Sequence, residues 1–136
     1  MKHVFRGIAA SAALLVLSVS TGFAQARLDL GKSEYESSCA SCHGVSGKGD
    51  GAMVGMLTKP PSDLTTLARR NGGVFPVQRV SEMIDGRTSV MIGSHGAREM
   101  PVWGHVYRSE DTQPRDLHAR NRISALVDYL ARIQGK

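Results

Sequence analysis

Cys39-Ala40-Ser41-Cys42-His43 decides how the rest of the chain is read. Two thiols separated by two residues, with an imidazole directly after the second, form the attachment site of a c-type haem. Thiols at that spacing reach one edge of a porphyrin and add across its two vinyl groups, becoming thioethers. The adjacent imidazole can then swing under the macrocycle and ligate the iron from its proximal side. Cys39 and Cys42 are the only cysteines in the chain. The expected cofactor is therefore one haem c, covalent through Cys39 and Cys42, with its iron on His43.

Other readings of the pentapeptide fit less well. A thioredoxin-like pair sits in a βαβ setting, and no such alternation flanks these residues. A structural zinc site wants four N or S ligands. No second C-x-x-C is present, and His95, His105 and His118 lack the close pairing of a finger. A disulfide between Cys39 and Cys42 would close only a very small loop.

The 136 residues suggest one domain preceded by an export signal. Lys2 and Arg6 make a positive start, residues 8–19 an apolar stretch, and Ala24-Gln25-Ala26 an A-x-A cleavage site. The apolar stretch is short for a bilayer span, which needs about 20 residues. Cleavage after Ala26 is the expectation, rather than retention as an anchor. It gives a signal at 1–26, a domain at 27–136, and a periplasmic protein with no stable membrane insertion. A domain this small is near the low end for a self-sufficient core, and a covalent haem would supply an apolar plate at its centre. The formal charge of +5 is partly the signal's own, and the rest is scattered. That pattern does not argue for nucleic acid; it leaves a solvated surface or docking to an acidic partner.

The periodicity reads as all-α. A first helix is predicted over 28–43, with Gly31, Tyr35 and Cys39 on one face and Lys32, Glu34, Glu36 and Ser37 towards solvent. The Gly-rich run 44–51 reads as a loop; it fails the phosphate-loop test, since no Gly-Lys-Ser/Thr follows and no strand precedes it. Pro60 and Pro61 lead into a short helix over 63–70, with Ser62 as the expected N-cap. A further helix begins near Pro76 and ends at Gly86, with Val77, Val80, Met83 and Ile84 as its apolar stripe and Met83 read as core. Residues 87–114 read as a long loop, a feature that is often functional. The longest helix is predicted from Pro114 to about Ile133, with Ile123, Leu126, Val127 and Leu130 facing inwards.

A c-type haem iron has a second axial position, left open for chemistry or closed by a side chain for electron transfer. Met100 is the best closing candidate. Its thioether is a soft ligand that favours ferrous iron, and it lies far enough from His43 to return on the other face. Pro101 confines it to an extended backbone. His95, His105 and His118 are alternatives, as are Met53, Met56 and Met91. Trp103 and Arg98 are candidates for a haem propionate, or for edge packing and a solvated charge.

With these residues the sequence resembles the monohaem class I cytochromes c, the small periplasmic kind of Gram-negative bacteria. Gly31 and Tyr35 match the family's N-terminal helix, Leu126 and Tyr129 its C-terminal helix, and Met100-Pro101 its distal-ligand motif. The resemblance implies a cytochrome c fold in which those two helices cross, with short helices and long loops wrapped around one haem. It places a carbonyl acceptor for the His43 Nδ1–H at Pro60 or Pro61. It implies His43 and Met100 as axial ligands of an electron carrier that is a monomer and not itself an enzyme. Its partners would be a donor dehydrogenase or cytochrome complex and an acceptor such as a terminal oxidase. Two alternatives stand beside it: a haem enzyme or gas-binding sensor with an open or displaceable sixth site, and the cytochrome subunit of a larger redox complex.

Overall fold

A computed structural model of the chain describes residues 30–87, 100–110 and 112–135. The stretch 1–26 read as an export signal, Met91, His95 and Arg98 lie outside the described residues. Helices α1 (Leu30–Ser38), α2 (Ala40–His43), α3 (Leu67–Arg70), α4 (Val77–Asp85), α5 (Trp103–Ser109) and α6 (Arg115–Arg132) follow in chain order, with 3-10 turns at Val54–Met56 and Leu64–Thr66. No strand occurs among the described residues.

The core forms where α1 and α5 pack against α6. Gly31 is buried there because a side chain would not fit. A Cβ on it would run into the Ala125 carbonyl and lie 2.9 Å from Tyr129 Cβ. One turn later Tyr35 is fully buried, its ring centroid 5.2 Å from that of Tyr129. Tyr35 Oη donates to the Gly44 carbonyl at 2.6 Å, tying α1 to the residue that ends α2. Ile123, Leu126, Val127 and Leu130 of α6 are buried, as their spacing predicts.

Several expectations need correction. The predicted helix over 28–43 is interrupted at Cys39, which stands between α1 and α2. The 63–70 helix is a 3-10 turn that passes into α3. Its cap is Asp63, not Ser62: the Asp63 carboxylate accepts from Thr65 N–H at 2.8 Å and Thr65 Oγ1 at 2.6 Å. Within the region read as loop, α5 is a true helix. Gly104 obscured it, because glycine weakens a helix. The structure gives a reason for that glycine, since a Cβ there would collide with Asp85 Oδ1. Asp85 is buried and bonded to Arg108 at 2.6 Å, which pins α5 to the end of α4. Gly86 ends α4 in the left-handed region at φ 77°, as glycine readily does.

Glu34 does not face solvent. Its carboxylate takes two hydrogen bonds from Arg122, at 2.7 and 2.8 Å, and Arg122 also bonds Glu110 at 2.6 Å. The guanidinium lies 4.0 Å over the Tyr107 ring, so the ion pairs cap an aromatic of the core.

Candidate haem site

Cys42 and His43 lie on α2 and Cys39 stands at its N-cap, so one short helix brings the three reactive side chains close together. His43 N–H bonds the Cys39 carbonyl at 2.9 Å, closing one α-turn around the pair of cysteines. The loop behind it folds back onto this turn. Gly49 N–H reaches the His43 carbonyl at 2.8 Å, Gly51 N–H the Cys42 carbonyl at 3.2 Å, and Met53 N–H the Ser41 carbonyl at 2.9 Å. The Gly-rich run therefore serves as a backbone wrap for the motif.

Cys39, Cys42 and His43 line one cavity of about 350 Å³, and Met100 lines the same cavity. All four candidate site residues are thus brought together. Trp103 lines it too, ahead of its ring contact with Tyr107 at 5.8 Å between centroids. His105 and His118 do not line it: His105 is exposed, and His118 Nε2 meets Glu110 at 2.8 Å. Met53 and Met56 are exposed on the outer loop.

His43 is buried, and its Nδ1 donates to the carbonyl of Ser62 at 3.2 Å. The acceptor is therefore one residue beyond Pro61, where a proline carbonyl was expected. The two prolines hold the approach extended, and the chain turns only at Asp63, so Ser62 is the residue whose carbonyl reaches the ring. Donation from Nδ1 fixes the tautomer with its basic lone pair on Nε2, the usual preparation of a metal-binding imidazole.

The cavity also holds a side chain that sequence reasoning assigned elsewhere. Met83 lines it and is only half-buried, so it belongs to the cavity wall and not to the core. Met83, Val80 and Ile84 all line the cavity, while Val77 at the head of the stripe is 56% exposed. An apolar helical stripe looks the same in sequence whether a neighbouring helix or a cofactor will cover it.

The residues present suit a haem. The volume lies within the range of small-molecule sites, and the walls are mostly apolar. The charged residues on them are Lys59, Arg70 and Arg79, with no carboxylate among the described lining residues. That balance suits an apolar plate carrying acidic substituents. Burial pushes the Cys39 thiol up to about 12, so it is a poor thiolate. No cluster of three or more His, Cys, Asp or Glu suited to a bare metal ion occurs among the described residues.

Residues 26–114 match the family model described as cytochrome C oxidase, cbb3-type, subunit III. The chain belongs to this family. It is a class I c-type cytochrome, all-α, and its cofactor is covalent haem c with iron, attached at Cys39 and Cys42. Its role is haem-based electron transfer. No curated protein and no solved structure matches the cytochrome. The matched stretch contains the whole cavity wall named above and stops before α6.

Proposed function

We propose that this cytochrome is a periplasmic one-electron carrier whose iron is held by His43 and Met100. The observation that carries the reading is the meeting of His43, Met100 and both cysteines on one mostly apolar cavity. When bound, the haem supplies a ferric–ferrous couple that moves one electron at a time. The chain sets the conditions for it. The Ser62 carbonyl holds the His43 ring in orientation and raises its basicity. The Met100 thioether favours the ferrous state relative to a second imidazole. The apolar walls keep water away from both. The export signal read at 1–26 supports the periplasm. The family's printed description supports an oxidase complex as the electron acceptor. It also favours a second reading, in which the chain is a cytochrome subunit of such a complex and not a diffusing carrier.

Optical spectra of the purified holoprotein test the ligands. The ferric form should be low-spin and show the weak near-infrared sulfur-to-iron band of Met ligation. Met100→Ala should abolish the band, with Met83→Ala leaving it in place. Loss of the band in Met83→Ala alone would transfer the role to Met83. A high-spin wild type that binds carbon monoxide rapidly would replace the carrier with an open-site protein.

A further inference from the structure

The segment 62–68 does two things for the site. Its Ser62 carbonyl accepts the His43 proton, and its Leu64 and Leu67 side chains line the cavity. It is an irregular stretch, passing from extended backbone through a 3-10 turn into α3. Besides the local bonds around Asp63, it is held from the other end of the chain. Gln134 Oε1 accepts from Ala68 N–H at 2.9 Å, and Gln134 Nε2 donates to the Leu64 carbonyl at 2.8 Å. Leu64 carbonyl and Ala68 N–H are the acceptor and donor that a continuous α-helix would join directly. The Gln134 amide thus bonds both members of that pair at the point where 3-10 changes to α. Nε2 also bonds the Leu130 carbonyl at 2.6 Å, anchoring the amide to the last turn of α6. Gly135 N–H adds a bond to the Thr65 carbonyl at 2.8 Å. The other end of the stretch is tied by Leu64 N–H to the Gly47 carbonyl at 2.7 Å.

We propose that Gln134 is a positioning residue for the proximal side of the haem: by clasping Leu64 and Ala68 it sets the Ser62 carbonyl against His43 Nδ1. The proposal rests on His43 being an iron ligand. Gln134 lies outside the stretch that the family model matches. Its action is indirect: hydrogen bonds join the amide to the segment, the covalent backbone joins the segment to the Ser62 carbonyl, and a hydrogen bond joins that carbonyl to the ring. Loosening the clasp lets the Ser62 carbonyl withdraw. The imidazole then becomes less basic and donates less to ferric iron, so the reduced state gains.

The test uses the full holoprotein with Gln134→Ala, Gln134→Glu and, as a control for lost stability, Val127→Ala. Val127 is buried in the α6 core and does not line the cavity. Two readouts follow the ring: the midpoint potential, and the hyperfine-shifted His43 Nδ1 proton of the ferric protein with its rate of solvent exchange. Gln134→Ala should raise the potential, by up to about tenfold in the redox equilibrium constant, the low end of what losing a ligand's own outer partner costs. For a one-electron couple that is about 59 mV. The Nδ1 proton should shift and exchange faster. Gln134→Glu keeps the Ala68 bond but sets a carboxylate oxygen against two carbonyls, so it should move both readouts the same way; it carries the test if the alanine variant does not fold. Val127→Ala should lower stability and move neither readout. A Gln134 variant that loses stability with potential and proton unchanged overturns the proposal. A wild type without an axial-histidine Nδ1 resonance overturns the ligand reading first, and the proposal with it.

Discussion

Replacing Gly31 with Ala sets two effects of opposite sign against each other. In an exposed helix interior the change would stabilise by about 1 kcal/mol, the difference in helix propensity. Here the new methyl points into α6. It would run into the Ala125 carbonyl oxygen and lie 2.8 Å from the Ala125 carbonyl carbon and 2.9 Å from Tyr129 Cβ. Two of these three atoms belong to backbone in the middle of a helix that spans Arg115–Arg132, so no rotamer change relieves the clash. α1 must move away from α6, and Tyr35, fully buried one turn later, moves with it. Overpacking a tight contact costs roughly 1–3 kcal/mol and occasionally more, and a rigid backbone obstacle belongs at the upper end. The net expectation is a loss of about 2 kcal/mol. For a domain of this size that lowers the melting temperature by roughly 8 °C or more. Guanidinium denaturation of the holoprotein, followed by far-UV circular dichroism, measures it. Gly31 does not line the cavity, so the haem spectrum of the folded variant reports separately whether the movement of α1 reaches the cysteines. A midpoint equal to or above wild type would mean that propensity prevails and that the α1–α6 contact is looser than described.

Two further outcomes follow from the same contacts. Tyr35→Phe keeps the ring in the core but removes the donor that sits 2.6 Å from the Gly44 carbonyl, which then keeps only the Gly47 N–H at 3.1 Å; losing one such hydrogen bond costs roughly 0.5–1.5 kcal/mol, measurable by the same denaturation. The hydrogen bond from His118, and then that from Arg122, hold the Glu110 carboxyl below its ordinary 4.5. Glu110 therefore adds stability that is present above that value and is lost as pH falls through the lowered folded value. Glu110→Gln should make the acid limb of a stability–pH curve shallower; an unchanged slope would mean that the carboxylate titrates as it does in the unfolded chain.

The sequence was most legible where a residue type has one physical use. C-x-x-C-H admits few chemistries, and Gly31 with Tyr35 at i and i+4 announces a face that another backbone approaches. The α6 stripe read correctly because it is long and its partner is protein. Legibility failed where the partner was a group absent from the sequence, or where a local rule met a tertiary contact. Met83 satisfied the pattern of a core residue and faces the cavity. Gly104 looked like a breaker and lies inside α5, where Asp85 leaves no room for a side chain. Glu34 looked like a surface charge until Arg122, far away in sequence, was placed against it. The acceptor for His43 fell at Ser62 because it depends on where the extended backbone turns, which Asp63 decides through its bonds to Thr65.

The distribution of buried side chains gives the cofactor a structural role. Of the eight buried core hydrophobics among the described residues, five lie on α6 and one each on α1, α4 and α5. Between Gly44 and Met83 no hydrophobic side chain is buried; Leu57, Leu64, Leu67, Val80 and Met83 instead line the cavity. Apolar surface gains roughly 25 cal/mol per Å² only when it leaves water. For this half of the chain the gain comes when the cavity is filled. Attachment through Cys39 and Cys42 makes that filling intramolecular, so it cannot be diluted away as a dissociable ligand could. The cavity half therefore depends on α6 for a fixed base, and it is fastened there at two places. At the middle of α6 the Ala125 backbone receives Gly31, which aligns α1 and through it the cysteines. Beyond its end Gln134 receives Leu64 and Ala68, and through them the carbonyl that holds His43. Within the stretch matched by the family model lie the groups that meet the haem; the segment from α6 to Gln134, outside it, fastens that stretch at its start and at its middle.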